Sequence, residues 1–339
     1  MKKRVFAVLL AGLLLAGCTL PTQNQPQRYT ATFLDVFDTV TTIVGFAESE
    51  EAFTQSTQQI HDELLRYHQL FDIYHAYEGV VNLKSINEAA GGEALQVDPA
   101  IIQLLKSCKE YYTLTGGTVN AAMGSVLKLW HDAREDAYDD PLNAYLPDHA
   151  RLEEAAKHTN FDDVILDEAN CTVRIADPAL RLDVGAIAKG WATQKVAERV
   201  PSGFLISVGG NVCATGPKPE NTPWVVGIEN PDGGDYLHTV YLEKGCVVTS
   251  GDYQRTFPVD GKFYHHIIDP STLYPSESFR SVTIICDDSG LADALSTALF
   301  VLPLEEGLAL AEKCGAEAMW LHSDGTRSYT PGFEKLIRT

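Results

Sequence analysis

The chain has 339 residues, 45% of them hydrophobic, enough to bury a substantial core in one large domain or two lobes. Its 26 Lys and Arg stand against 46 Asp and Glu, a formal net charge of −20. A globular surface of that sign is a poor partner for nucleic acid, and beyond that exclusion the acidic excess reads as a solvated face.

Lys2, Lys3 and Arg4 precede an apolar run over residues 5–16, too short to span a bilayer as a mature helix but suited to a secretory h-region. The run ends in Leu15-Ala16-Gly17-Cys18, the form of a bacterial lipobox. This pattern predicts cleavage before Cys18 and acylation there, which places the mature chain on the extracytoplasmic side of a bacterial cell membrane, held by lipid. Acyl chains contribute about 0.8 kcal/mol per buried CH₂, so several hold a protein durably. The expected division is a signal peptide over 1–17, a polar Pro- and Gln-rich tether over 18–29, and one catalytic domain over 30–339.

Residues 30–46, rich in Thr, Val and Phe, predict a hairpin turning near 35–38. Apolar residues recur at helical spacing over 49–71, with Phe53, Ile60, Leu64, Leu65 and Leu70 on one side, and further helices are expected over 98–115 and 119–134. Residues 161–176 alternate like paired strands. A helix continues from Gly190 through Gln194, followed by strands at 204–208, 225–228, 239–242, 247–249, 264–268 and 281–286. Helices over 292–302 and 304–314 close the chain. The irregular mixing of helices and antiparallel strands predicts an α+β fold, largely antiparallel, with packed helices. Besides Cys18 there are six cysteines without C-x-x-C or zinc spacing. Their apolar, strand-like contexts favour buried thiols, although an even number in an exported chain permits disulfides.

The most informative stretch is Leu182-Asp183-Val184-Gly185-Ala186-Ile187-Ala188-Lys189-Gly190-Trp191. It reads as a strand end turning into a helix start, where Asp183 and Lys189 can lean toward one phosphate or metal. Asp293 and Thr297 sit four residues apart, one turn apart on a helix face, and a carboxylate with a hydroxyl suits a hard cation such as Mg²⁺. Taken alone, the plainer reading is a helix cap at Asp293 and a core-edge hydroxyl at Thr297. In Tyr264-His265-His266-Ile267-Ile268-Asp269-Pro270 the two histidines point to opposite sides of an extended chain. One can accept a proton near neutral pH, and a core histidine that orders the turn is the plainer alternative. Val247-Val248-Thr249-Ser250-Gly251-Asp252-Tyr253 and Ser207-Val208-Gly209-Gly210-Asn211 both read as strand-to-loop transitions, ligand-facing or ordinary tight turns.

In this order, and with Gly116-Gly117-Thr118-Val119-Asn120, these motifs resemble the ApbE family, the FAD:protein FMN transferases, from about residue 30 to the C-terminus. The resemblance implies FAD held in a cleft with Mg²⁺ at its pyrophosphate. It implies Asp293 and Thr297 as metal ligands, with Ser296 nearby and the Ala186 carbonyl completing the protein's share. Asp183, Lys189, Thr118, Val119, Asn120 and Ile267 are then FAD contacts. Phe37 and Tyr74 match weaker flavin positions, with Tyr77 an alternative to Tyr74. The family more often has Asp where this chain has Asn120, and Pro where it has Ser125.

The implied reaction is transfer of FMN from FAD to a threonine or serine hydroxyl of an acceptor flavoprotein, releasing AMP. His266 is the expected proton acceptor, with Asp269 as its orienter or as a turn residue. Implied acceptors are extracytoplasmic flavin subunits of membrane redox complexes, such as the sodium-translocating NADH:quinone reductase and RNF-type systems. Hydrolysis of FAD to FMN and AMP, or FAD binding without chemistry, are the alternatives.

Overall fold

The protein is described by a computed structural model covering residues 25–338. Cys18, the signal segment and residues 18–24 of the expected tether lie outside the described residues. No helix among the described residues is long and apolar enough to cross a membrane.

Strands β1 (Gln27–Val36) and β2 (Thr39–Ala47) form the expected hairpin, which begins inside the segment read as tether. Its two turn residues, Phe37 and Asp38, both have positive φ, 54° and 50°. Such a turn ordinarily takes Asn-Gly, so Phe37 is held in an unfavourable region, and its N–H donates to His68 Nδ1 at 3.1 Å. Helix α1 (Glu50–Phe71) starts at Ser49, whose hydroxyl accepts from the Ala52 amide. It buries Phe53, Ile60, Leu64 and Leu70 as the spacing predicts.

Helix α2 (Leu83–Glu88) and the short strand β3 (Leu95–Gln96) lead to α3 (Pro99–Leu114). Asp98 caps α3, Pro99 occupies its first turn, and the Asp98 carboxylate also takes Arg66 Nη2 at 2.6 Å. Helix α4 (Gly124–Asp139) starts five residues later than the helix expected over 119–134. Asn120 Oδ1 accepts from the Ala122 amide, and Met123 bridges to Arg181, so residues 119–123 are a loop whose apolar side chains are buried for their own reasons. Helix α5 (His149–Ala156) precedes the hairpin of β4 (Val164–Asp167) and β5 (Thr172–Ile175). Helix α6 (Ala188–Ala197) then feeds β6 (Phe204–Val208) and β7 (Asn211–Ala214), joined by the two-residue turn Gly209-Gly210.

A hairpin of β8 (Trp224–Ile228) and β9 (His238–Leu242) follows, then β10 (Gly245–Gly251) and the small hairpin β11 (Phe257–Val259) and β12 (Lys262–Tyr264). The strand expected to run to Ile268 stops at Tyr264. His265 Nδ1 accepts from the Ile267 amide, which takes the chain out of the β11–β12 ladder and leaves only an isolated bridge from Ile268 to Pro275. Strand β13 (Phe279–Cys286), helices α7 (Ser289–Val301) and α8 (Leu304–Lys313), strands β14 (Glu317–His322) and β15 (Arg327–Tyr329), and α9 (Phe333–Leu336) complete the order.

Eight strands form one sheet in the order β1-β2-β6-β7-β10-β13-β14-β15, with every neighbouring pair antiparallel. The main core lies on the face covered by α1, α6, α7 and α8, centred on residues such as Leu64, Trp191, Leu295 and Trp320. The β8–β9 hairpin and α9 cover the other face. A separate apolar cluster joins α4 and α5 to the β11–β12 hairpin around Trp130 and Phe257. The fold is therefore α+β as expected. Of the cysteines, Cys108, Cys213 and Cys246 are buried, and all six described are free thiols.

Candidate active site

Where α6 meets α7, one hydrogen bond lies at the centre of the site. The Gly190 amide, in the first turn of α6 and so without an acceptor inside the helix, donates to Asp293 Oδ2 at 2.8 Å. The helices approach this closely because residue 190 lacks a side chain: a Cβ there would lie 2.2 Å from the Ser289 carbonyl oxygen and 2.5 Å from Asp293 Cβ. Asp293 is buried one turn inside α7 and does not cap it; that role belongs to Asp288, whose carboxylate takes the Leu291 amide at 2.7 Å. Burial raises the Asp293 pKa, opposed by Lys189, the Gly190 amide and Asn211. Lys189 Nζ stands 4.0 Å from Asp293 Oδ1.

This junction forms one wall of a cleft of about 270 Å³. Ala186, Lys189, Asp293 and Thr297 line it together with Asp183, and Thr118, Val119 and Asn120 close one side. Tyr74, His266 and Ile267 line it as well. Phe37 lines an adjoining hollow that shares Tyr74, Asp183, Lys189 and Arg255 with the cleft. Tyr77 is turned away, donating to Asp72 Oδ2 at 2.7 Å, so Tyr74 takes the cleft position.

Several side chains have duties other than those expected. Ser296 is fully buried behind Asp293, with Oγ donating to the Asp293 carbonyl at 2.9 Å and contacting Ser250 Oγ at 2.8 Å. It braces the helix and does not face the cleft. Asn120 spends its amide on the Ala122 amide and the Thr159 carbonyl, at 2.8 and 2.9 Å, so it shapes the loop. Asp269 accepts from the amide and hydroxyl of Ser271, making it the turn residue and not an orienter of His266. In the turn before α6 and in the helix's first residues, the amides of Gly185, Ile187, Ala188 and Gly190 are already engaged, so what this stretch offers a ligand is chiefly carbonyl and side-chain groups.

The two histidines divide as their alternation predicts. His265 is buried, with Nε2 donating to the Ser276 carbonyl at 2.7 Å and Nδ1 accepting, which fixes a neutral structural ring. His266 faces the cleft. Its Nδ1 lies 3.3 Å from the Gln254 carbonyl, which can only accept, so the proton sits on Nδ1 and the Nε2 lone pair is left for a ligand. Burial, then Arg255 and the neighbouring cations, push the His266 pKa down to about 3.

Residues not singled out in the sequence complete the site. Arg134 and Arg255 join Lys189, so three cations converge on one cleft of an acidic protein. Arg134 Nη2 donates to His131 Nδ1 at 2.8 Å, and the His131 ring stacks on Tyr74 with centroids 4.5 Å apart. Trp130, His131 and Arg134 form a short aromatic and basic stripe in the middle of α4, a signal the sequence carries. Arg255 gives none, since nothing local distinguishes it.

The donors at the α6–α7 junction fit a hard cation. They are a carboxylate, a hydroxyl and a backbone carbonyl, all oxygen. Asn211, 2% exposed, leaves its Nδ2 without a hydrogen-bond partner while lying near enough to Asp293 to favour its charged form. Among the described residues no group of three or more His, Cys, Asp or Glu is placed to hold a metal, so a cation here would need oxygens from its ligand and from water.

Two consequences can be measured. Gly190→Ala is expected to lower stability by about 1–3 kcal/mol in urea titrations, since α6 and α7 must separate; an unchanged midpoint would contradict the close crossing. His266 has a folded pKa below its unfolded value near 6.5, so the unfolded chain binds more protons between the two. Its contribution to stability is therefore complete above about pH 6.5 and is lost as pH falls toward 3. Urea titrations at pH 7 and pH 5 should show a smaller difference for His266→Gln than for the parent chain, and an equal difference would refute the shift.

Comparison with known proteins gives concordant matches. The family model described as "ApbE family" matches residues 37–320. A relative from Treponema pallidum (strain Nichols), named FAD:protein FMN transferase, is 35% identical over 277 residues, covering 76% of this chain and 75% of its own. Another of that name from Klebsiella pneumoniae (strain 342) is 33% identical over 263 residues, 74% of this chain and 79% of its own. The crystal structure of the ApbE protein from Thermotoga maritima superposes with a TM-score of 0.82 at 32% identity, over 92% of this chain and all of that one. The apo flavinyl transferase ApbE of Pseudomonas stutzeri gives 0.76 at 25% identity, covering 92% and 98%. With the family match spanning most of the cleft-forming elements, the chain belongs to the ApbE family.

Proposed function

We propose that this enzyme is a FAD:protein FMN transferase that moves FMN from FAD to a threonine or serine hydroxyl of an acceptor flavoprotein. The observation that carries this reading is the α6–α7 junction. There, Asp293 takes the otherwise unpartnered first-turn amide of Gly190, and the Ala186 backbone just before the helix, Thr297 and Lys189 line one cleft with it. The names of the relatives agree with it.

In the transfer, the acceptor oxygen forms a bond to the FMN-side phosphorus, the P–O bond to AMP breaks, and the hydroxyl proton passes to a base. His266 is that base in this reading, through the Nε2 lone pair left by the Nδ1 contact. A ring with a pKa near 3 is a weak base, but burial and the cations depress it. Anionic phosphates in the cleft offset the cations and raise its basicity. Lys189, Arg134 and Arg255 supply the positive field that draws a dinucleotide into an acidic protein. Asp293, Thr297 and the Ala186 carbonyl would hold Mg²⁺, with Ser296 supporting from behind. When bound, Mg²⁺ neutralises charge on the pyrophosphate and on the departing AMP. The Tyr74–His131 shelf offers a face for an aromatic ring system.

The proposal extends to location. Lys2 to Cys18 support export as one lipoprotein, with Cys18 as the acylated anchor and residues 30–339 as the catalytic unit. Such an anchor sets the enzyme beside flavin subunits of membrane redox complexes.

The test is to incubate the full chain with FAD, Mg²⁺ and a purified flavin subunit of a sodium-translocating NADH:quinone reductase, then read flavin fluorescence on the acceptor in a gel. Labelling is expected, with AMP released in equal amount. Asp293→Asn, which keeps an oxygen for the Gly190 amide, should lose roughly 100-fold or more in rate and lose Mn²⁺ binding by electron paramagnetic resonance. His266→Ala should lose roughly 100-fold or more while keeping FAD affinity. FMN and AMP without labelled acceptor would mark a hydrolase, and no turnover would mark a binder; full rate in either variant refutes that residue's role.

A further inference from the structure

Three cysteines stand in one row across neighbouring strands. Cys213 on β7 pairs with Cys246 on β10, and Cys246 pairs in turn with Cys286 on β13. All three pack on the helix-covered face of the sheet. The Sγ atoms of Cys213 and Cys246 are 3.0 Å apart, closer than two sulfur atoms in ordinary contact.

Ladder alternation explains why this pair is the close one. The two-residue turn Gly209-Gly210 makes Val208 and Asn211 the hydrogen-bonded closing pair of the β6–β7 hairpin. Two residues on, Cys213 is hydrogen-bonded to Ile206, so toward β10 it stands in a non-hydrogen-bonded pair, where Cα atoms lie about 4.5 Å apart. Cys246 must then spend its backbone groups on Cys286, in the wider pair of about 5.5 Å with side chains further apart. The same alternation makes Thr249 and Thr283 a close pair, and their hydroxyls are indeed 2.8 Å apart. A spacing near 4.5 Å falls within the range that disulfides span.

We propose that Cys213 and Cys246 are a disulfide-forming pair that staples β7 to β10 beneath the α6–α7 junction. Cys246 Sγ lies 4.0 Å from Gln194 Oε1, and that oxygen accepts the Ser289 amide at 2.9 Å, tying α6 to the start of α7. The staple thus backs the two helices that carry Lys189 and Asp293. The bond closes a loop between residues 33 apart, long enough for the constraint on the unfolded chain to matter.

The oxidant is a small-molecule or protein disulfide, for which oxidised glutathione is the probe. One cysteine thiolate attacks that disulfide, releasing one reduced thiol and leaving a mixed disulfide. The second cysteine thiolate displaces the remaining thiol as the Sγ–Sγ bond forms. Two electrons pass to the glutathione pair and the two protons leave with its thiols, so the step balances. In the folded protein Cys246 is sealed and Cys213 is 4% exposed, and contact with Cys213 and burial hold the Cys246 thiol protonated. Exchange therefore takes place while the strands pair, before the helices cover them.

The full chain is refolded from denaturant with and without a reduced and oxidised glutathione mixture, alkylated in denaturant without reductant, and mapped by mass spectrometry. The expected result is a linked Cys213–Cys246 peptide pair, with Cys108, Cys171, Cys286 and Cys314 alkylated, and Cys18 alkylated wherever it carries no acyl chain. Reductant should then lower the melting temperature of the oxidised protein by about 5 °C or more and leave Cys213→Ser unaffected. Full alkylation of Cys213 and Cys246 after oxidative refolding, or linkage of Cys246 to Cys286, would overturn the proposal. Should Cys213→Ser fail to fold, the peptide map of the parent chain decides alone.

Discussion

The contact on which the site depends is the hydrogen bond from the Gly190 amide to the Asp293 carboxylate. It does three things at once. It supports a buried carboxylate whose charge burial opposes, it helps fix how closely α6 and α7 cross, and it gives an acceptor to a first-turn amide of α6 that has none within the helix. A side chain at residue 190 would disturb all three, because the Ser289 backbone and the root of Asp293 occupy the space it needs. The surrounding sheet provides the rigidity: β10 and β13 pack under α7, and Ser250 at the end of β10 reaches Ser296 behind Asp293.

Around that junction the cleft works against the rest of the molecule. A chain of net charge −20 repels anions at a distance, yet Lys189, Arg134 and Arg255 face one cavity with Asp183 and Asp293. Local fields in a low-dielectric cleft outweigh remote, screened charges, since exposed groups beyond about 10 Å contribute little at physiological salt. Strain is stored here too, in the positive φ of Phe37, whose turn borders the adjoining hollow. The division of labour between His265 and His266 follows from chain direction alone: one ring turns into the core and is satisfied there, and the next turns outward with a nitrogen unspent.

Much of this was legible in the sequence, and the reason differs by feature. The apolar spacing over 49–71 and 98–115 announced α1 and α3 because helical period is local, and the structure adds Ser49 and Asp98 as their caps. The spacing of Asp293 and Thr297 placed both on one helix face, and only the structure shows that Asp288 is the cap. The start of α4 was misread because Val119, Ala122, Met123 and Val126 keep a helical period while the first three belong to a loop held by Asn120 and Arg181. The strand through Ile268 failed for a similar reason, as the His265 ring captures a backbone amide that a ladder would need. Asn120 lines the cleft while spending half of its hydrogen-bonding capacity on its own loop, and Ser296 was placed near the site correctly but is turned behind Asp293. Arg255 stands more than a hundred residues from the α4 stripe it joins, a tertiary coincidence that no local pattern encodes.

The central claim is that the Ala186 carbonyl, Asp293 and Thr297 are the protein's half of one cation site at the FAD pyrophosphate. A crystal structure of the enzyme with FAD and Mn²⁺, with the metal located by its anomalous signal, tests this most directly. The account predicts a single cleft ion with these three oxygens within about 2.5 Å and phosphate oxygens completing the shell. An ion bound elsewhere, or FAD in the cleft with its pyrophosphate remote from Asp293, would contradict it.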